Sequence, residues 1–167
     1  MKQTGSQLSA LVILRVLIGW HFLYEGLVKL LNPDWSAYGY LISSEGIFSG
    51  VFQSMATNES LLSVINVLNQ WGLFLIGLGL FLGVLTRLSC YLGALLLLFY
   101  YLAHPLFVGV DYAIPTQGNY LLVDKNLIEM FTLIVISLFP TGVFVGLDRI
   151  LFKKKKLTYI EPIENNV

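Results

Sequence analysis

Cysteine and charge are scarce in this chain of 167 residues. Its single cysteine, Cys90, excludes a disulfide framework, a CxxC redox pair and a cysteine-based zinc site. Charged residues make up 12% of the chain, and ten basic side chains balance ten acidic ones, which argues against a nucleic-acid partner. The sequence also lacks a flavin, haem, iron–sulfur or metal-binding motif. Disulfide-stabilised and nucleic-acid-binding domains are therefore excluded.

Apolar residues, in contrast, are abundant. Hydrophobic side chains account for 56% of the chain and the mean hydropathy is +0.76, above what water-soluble domains show. Because about 20 residues cross a bilayer as a helix, the length suffices for four crossings with short loops. It does not suffice for a separate soluble catalytic domain. We therefore predict an all-α integral membrane protein.

Four apolar runs predict four membrane-spanning helices. Their approximate bounds are 9–31, 61–85, 88–110 and 126–147. They form one transmembrane domain over residues 1–152, followed by a basic tail over residues 153–167 that begins with four lysines. The positive-inside rule places these lysines in the cytoplasm, and an even number of spans puts the N-terminus on the same side. The predicted fold is a four-helix bundle with both termini cytoplasmic.

The first outer loop, from Asn32 to Ser60, carries acidic residues but no lysine or arginine, as expected of a translocated segment. Aromatic and aliphatic residues such as Trp35, Tyr38 and Phe48 are dispersed among its serines and glycines. Such residues suit the membrane interface. We predict one or two short interfacial helices, which serve either as an anchor or as a lid over a site.

The first predicted helix carries four ionisable side chains where lipid should surround it: Arg15, His21, Glu25 and Lys29. At about 100° per residue they fall within one arc of about 120°, and a charge inside a span is costly unless it finds a partner or water. This face should therefore look into the bundle. Glu25 and Lys29 are spaced to pair along the helix. The cluster is either a structural set of salt bridges that locks the helices together or a proton-accepting, ligand-binding site.

Polar residues of the other three helices lie in the same outer half. They are Asn66, Asn69, Gln70, Tyr100, Tyr101, His104, Asn126 and Glu129. The predicted topology brings these ends to one level, so any site is expected there. A metal site is disfavoured because no HExxH or ExxH spacing supports it. His104, which precedes Pro105, can instead cap a kinked helix end.

Four segments, in this order, resemble the DoxX/DoxD-like membrane proteins. They are RVLIGWHFLYEGLVKL at 15–30, NQWGLFLIGLGLFLGVLTR at 69–87, YYLAHP at 100–105, and NLIE at 126–129 with FPTG at 139–142. This superfamily includes the small subunit of thiosulfate:quinone oxidoreductase. The resemblance implies a multi-pass four-helix protein of a bacterial inner membrane, and it leads to the hypothesis of a membrane subunit of a quinone-linked oxidoreductase.

Under this hypothesis Glu25 and Glu129 are the acid–base candidates, because quinone reduction consumes protons. The expected quinone-binding residues are His21, His104, Tyr100, Tyr101, Asn66, Gln70, Asn126, Arg15 and Lys29. Since the chain has no redox-centre motif, another protein subunit must deliver the electrons. Membrane lipid and further copies of the chain are the other expected partners.

Two other functions are weighed against this hypothesis. The first is a non-catalytic membrane scaffold, which holds a periplasmic partner by residues 35–55 and uses its charges only to lock the helices together. The second is a transporter, which is disfavoured by the small size and by the lack of paired broken helices.

Overall fold

The computed structural model of the chain describes residues 4–104, 123–139 and 141–151. These ranges fold into helices: α1 Gly5–Leu31, α2 Tyr38–Ile42, α3 Ser49–Thr57, α4 Glu59–Leu82, α5 Thr86–Ala103, α6 Lys125–Leu138, α7 Thr141–Phe144 and α8 Asp148–Leu151. Helices α1, α4 and α5 are each long and apolar enough to cross a membrane. The prediction of an all-α membrane protein is confirmed for the described chain. Residues 105–110 of the third predicted span and the basic tail over 153–167 lie outside it.

The fourth predicted span, 126–147, differs from the prediction. In its place are α6 and the short helices α7 and α8. The 14 residues of α6 rise by about 21 Å, which is less than the roughly 30 Å of a bilayer core. The sequence gives the reason: a residue before proline is pushed out of the helical region, and Phe139, which precedes Pro140, has φ −112° and ψ 132°. Pro140 itself lies outside the described residues.

The long helices pack in two pairs, α1 with α4 and α5 with α6. Glycine allows the first pair to approach closely. A Cβ atom at Gly19 would lie 2.6 Å from the Phe81 backbone nitrogen, and one at Gly26 or Gly77 would also meet the backbone of the opposite helix. The two pairs share one core, whose most buried side chains include Phe22, Leu73, Leu80, Leu97, Leu133 and Ile136.

The segment from Trp35 to Thr57 contains two short helices, α2 and α3, where the sequence predicts one or two. They pack on each other and on the adjoining ends of α4 and α5, with Leu41, Phe52 and Ala103 buried among them. We call this segment the cap, and the end of the bundle that it covers the cap end. Since α1 ends and α6 begins at the cap end, all four long helices present their polar ends to it.

The turn between α4 and α5 lies at the opposite end. Gly83 and Leu85 both adopt left-handed conformations, with φ of 69° and 47°. Leu85 offers no side-chain cap for α5. The carboxylate of Asp148 takes that role from 62 residues away, because it accepts hydrogen bonds from the Leu85 N–H at 2.7 Å and the Thr86 N–H at 3.1 Å.

Candidate functional site

A cavity of about 130 Å³ lies near the cap end, between the two helix pairs. Its floor is formed by Phe22, Leu73 and Leu97, each at most 4% exposed. Polar side chains of α1, α5 and α6 form its wall: His21, Glu25, Lys29, Tyr100, Lys125, Asn126 and Glu129. An apolar floor with a few convergent polar groups is typical of small-molecule sites.

Glu25 and Lys29 form an ion pair along α1. The Lys29 Nζ donates to Glu25 Oε2 at 2.9 Å, which the i,i+4 spacing predicts. The same Nζ lies 5.6 Å from the centre of the Trp35 ring, so the pair is next to the cap. The Glu25 side chain remains 46% exposed. One carboxylate of the cavity therefore has its balancing charge on its own helix.

Glu129 is paired differently, across the gap between α1 and α6. Its Oε1 lies 3.8 Å from His21 Nε2, which is longer than a hydrogen bond. Its Oε2 is buried and finds no hydrogen-bond partner within the described residues. Such an oxygen is costly to leave bare, and at about 30 Å³ per molecule the adjoining cavity has room for about four waters. Glu129 is thus a cavity residue whose carboxylate has one oxygen without a partner in the described part of the chain.

Tyr100 is held from two directions. Asn69 Nδ2 donates to its hydroxyl oxygen at 2.6 Å, and the Tyr40 hydroxyl of the cap donates to its backbone carbonyl at 2.9 Å. The two tyrosine rings are 5.6 Å apart. Burial raises the pKa of Tyr40, so its hydroxyl stays protonated and keeps donating. The cap therefore fixes the position of a cavity residue.

Several of the residues predicted to form the site do line the cavity. They are His21, Glu25, Lys29, Tyr100, Asn126 and Glu129. Lys125 in the wall is a further polar residue that the sequence analysis did not name. Asn69, which it named in the outer half without assigning it a role, lies behind Tyr100. The signal for Lys125 was its spacing, because it stands four residues before Glu129, on the same helical face.

Other predicted residues hold backbone groups and do not line the cavity. Asn66 Oδ1 accepts from a cap N–H at 2.8 Å, and Gln70 Nε2 reaches a carbonyl near the end of α1 at 3.5 Å. The His104 Nε2 lies 2.9 Å from the carbonyl of Tyr40, with their rings 4.3 Å apart. Tyr101 is half-buried outside the cavity lining. These contacts join the cap and the helix ends.

Arg15 does not line the cavity. It precedes His21, the first residue of α1 in the cavity wall, by six residues, or about 9 Å along α1. Its guanidinium is buried, with Nη2 donating to the Val145 carbonyl at 2.7 Å and Nη1 to the Thr141 hydroxyl at 3.4 Å. The carbonyl explains how a charge is tolerated inside the span. Arg15 therefore joins α1 to the segment after α6 and does not share a site with Glu25.

Comparison with known proteins gives one match. The family model described as DoxX matches residues 10–107, more than half of the chain, and covers the α1 and α5 walls of the cavity but not the α6 wall. No curated protein and no solved structure gives a significant match. The motifs that suggested a resemblance lie mostly within the matched region. This membrane protein belongs to the DoxX family.

Proposed function

We propose that this protein is the membrane subunit of a quinone-linked oxidoreductase of the bacterial inner membrane and that the cavity receives the quinone ring. The observation that supports this most is the combination of an apolar floor with two carboxylates, Glu25 of the spanning helix α1 and Glu129 of α6. When bound, a quinone supplies the electron-accepting chemistry. Carboxylates at such a ring can hold and pass the protons that the reaction consumes.

The cavity has a size that fits this role. An engineered apolar cavity of about 150 Å³ binds benzene, so a cavity of about 130 Å³ accommodates a single ring with little to spare. A polyprenyl tail would pass between α1 and α6, which make few contacts with each other. The His21 side chain in this gap is 36% exposed. A ligand dissolved in the bilayer would therefore reach the cavity from the side.

The proposed roles of the residues follow from their positions. Asn126, Lys125 and Tyr100 would offer hydrogen-bond donors to ring oxygens. Glu25 and Glu129 would exchange protons, Glu129 beside His21, and Lys29 would balance the negative charge of Glu25. Because the chain has no redox-centre motif, a partner protein would deliver the electrons.

A variant whose larger side chain fills the cavity tests the proposal. Leu97 lies on the floor at 4% exposure, whereas its neighbour Leu98 is 37% exposed on the outer surface. The protein would be extracted gently from its native membrane, and copurifying quinones and proteins would be quantified by mass spectrometry. We expect near-stoichiometric quinone with the wild type and Leu98→Phe, and its loss with Leu97→Phe. Lipid alone in the wild type, or equal quinone in a folded Leu97→Phe, would overturn the proposal.

A second function, a scaffold for a periplasmic protein, is favoured by the surface of the cap. Ile47, Phe48 and Val51 are exposed there, Ile47 to 88%, and polar residues predicted as ligands hold the cap to the bundle. If this function is the main one, Ile47→Ser with Val51→Ser would remove a copurifying protein, and Leu97→Phe would have no effect on it. The same mass spectrometry separates the two functions.

A further inference from the structure

We infer that Asn69 is a positioning residue: it turns the hydroxyl hydrogen of Tyr100 into the cavity, where Tyr100 donates to an oxygen of a ligand with a single six-membered ring. The inference rests on the proposed function, since it concerns the same cavity. It adds the residue that orients the Tyr100 donor, and it turns the single-ring fit into a limit on ring size.

The direction of one hydrogen bond leaves the hydroxyl hydrogen of Tyr100 available to a ligand. Asn69 Nδ2 donates to the Tyr100 hydroxyl oxygen at 2.6 Å. A hydroxyl that accepts through a lone pair keeps its own hydrogen for another acceptor. Tyr100 lines the cavity, and none of its contacts within the described ranges uses this hydrogen. An acceptor oxygen of a ligand in the cavity would accept this hydrogen.

The Asn69 side chain makes this one hydrogen bond, since its Oδ1 is buried and finds no partner within the described residues. Asn69 is only 8% exposed, so water does not compete freely for its amide. Tyr40 holds the backbone of Tyr100 from the cap side, which limits movement of the ring away from the amide. A carboxylate in place of this amide would accept from Tyr100 and would take its hydrogen out of the cavity.

The floor sets the limit on ring size. Phe22, Leu73 and Leu97 are almost completely buried in the shared core, and protein cores are packed too densely to yield without cost. A volume of about 130 Å³ holds one ring. A second fused ring would have to displace these side chains or project out between α1 and α6.

Three probes that share two adjacent methyl groups separate these features. They are o-xylene, 2,3-dimethyl-1,4-benzoquinone, which adds two oxygens, and 2,3-dimethyl-1,4-naphthoquinone, which adds a fused ring. Their affinities for the full chain in lipid nanodiscs would be measured by equilibrium dialysis. We expect the benzoquinone to bind about three- to tenfold more tightly than o-xylene, as one added hydrogen bond allows. It should also bind at least about fivefold more tightly than the naphthoquinone, which overpacks the cavity.

Two variants test the donor. Tyr100→Phe and Asn69→Asp should each reduce the benzoquinone affinity to within about twofold of o-xylene, and neither should change the affinity for o-xylene. The matched control is Tyr91→Phe, since Tyr91 is 55% exposed on the same helix. A merely structural role for Asn69 would lower both affinities together. If Asn69→Asp does not fold, Tyr100→Phe still gives the test.

The outcomes distinguish this inference from the proposed function. If neither quinone binds to the wild type, the proposed function and the inference both fail. If the benzoquinone binds and both folded variants still prefer it to o-xylene, the donor assignment is overturned while the proposed function stands. If the naphthoquinone binds as tightly as the benzoquinone, the limit to a single ring is overturned.

Discussion

Replacing Asp148 with alanine should be among the most destabilising changes in the chain. Its carboxylate accepts from the Leu85 N–H at 2.7 Å, from the Thr86 N–H at 3.1 Å and from the Thr86 hydroxyl at 2.8 Å. Asp148 is 5% exposed and Thr86 is 4% exposed. Water therefore cannot readily replace the lost acceptor, and the first turn of α5 would start with unsatisfied donors.

The expected loss can be bounded from these contacts. A hydrogen bond to a charged group contributes about 1.5–3 kcal/mol, and losing an N-cap costs about 0.5–2 kcal/mol. These values are not additive, because the three donors share one carboxylate. The buried guanidinium of Arg15 would also lose a nearby opposite charge. Asp148→Ala should therefore lower the free energy of unfolding by roughly 3–5 kcal/mol, the range for breaking a buried charge network.

Reversible unfolding in mixed micelles, followed by circular dichroism, measures this loss. Arg149→Ala is the matched control, because Arg149 is the next residue and is exposed; it should change the free energy of unfolding by no more than about 0.5 kcal/mol. Asp148→Asn keeps one acceptor oxygen and should fall between the two. Equal stability of Asp148→Ala and Arg149→Ala would refute the reasoning.

Three further predictions concern other contacts. Gly77→Ala places a Cβ against the Leu23 backbone and should destabilise α1–α4 packing by about 1–3 kcal/mol or more, whereas Gly72→Ala, with nothing within 4 Å, should be tolerated; equal unfolding curves would contradict this. Tyr40→Phe removes a hydrogen bond to Tyr100 and should cost about 1 kcal/mol, measured as faster hydrogen exchange in the cap, and unchanged exchange would count against it. Lys29→Gln breaks a partly exposed ion pair and should change the free energy of unfolding by less than about 1 kcal/mol. A larger decrease in the same unfolding assay would show that the pair locks the helices together.

Hydropathy was sufficient to predict α1, α4 and α5, because a spanning helix needs only length and apolar composition. Hydropathy predicted a helix that extends beyond the end of α6, because the apolar run continues through Phe139. The effect of a proline on the residue before it is local and does not alter the hydropathy.

The candidate site was partly predictable for a similar reason. Spacing along α1 places His21, Glu25 and Lys29 on one face, and the structure puts all three on the cavity. Spacing cannot show which polar groups at one depth reach the cavity and which meet backbone of the cap, as Asn66 and His104 do. Nor can it reveal pairings that form across long stretches of chain.

The long-range cap on α5 has a consequence for biosynthesis. The Thr86 N–H is made 62 residues before the carboxylate that it bonds, which at about 5–20 residues per second is a delay of roughly 3–12 s. In the nascent chain the α4–α5 hairpin must enter the bilayer with its turn unfinished. We expect this hairpin to be completed only after residues 141–151 have left the ribosome, so a later segment of the chain stabilises a hairpin that was inserted seconds earlier.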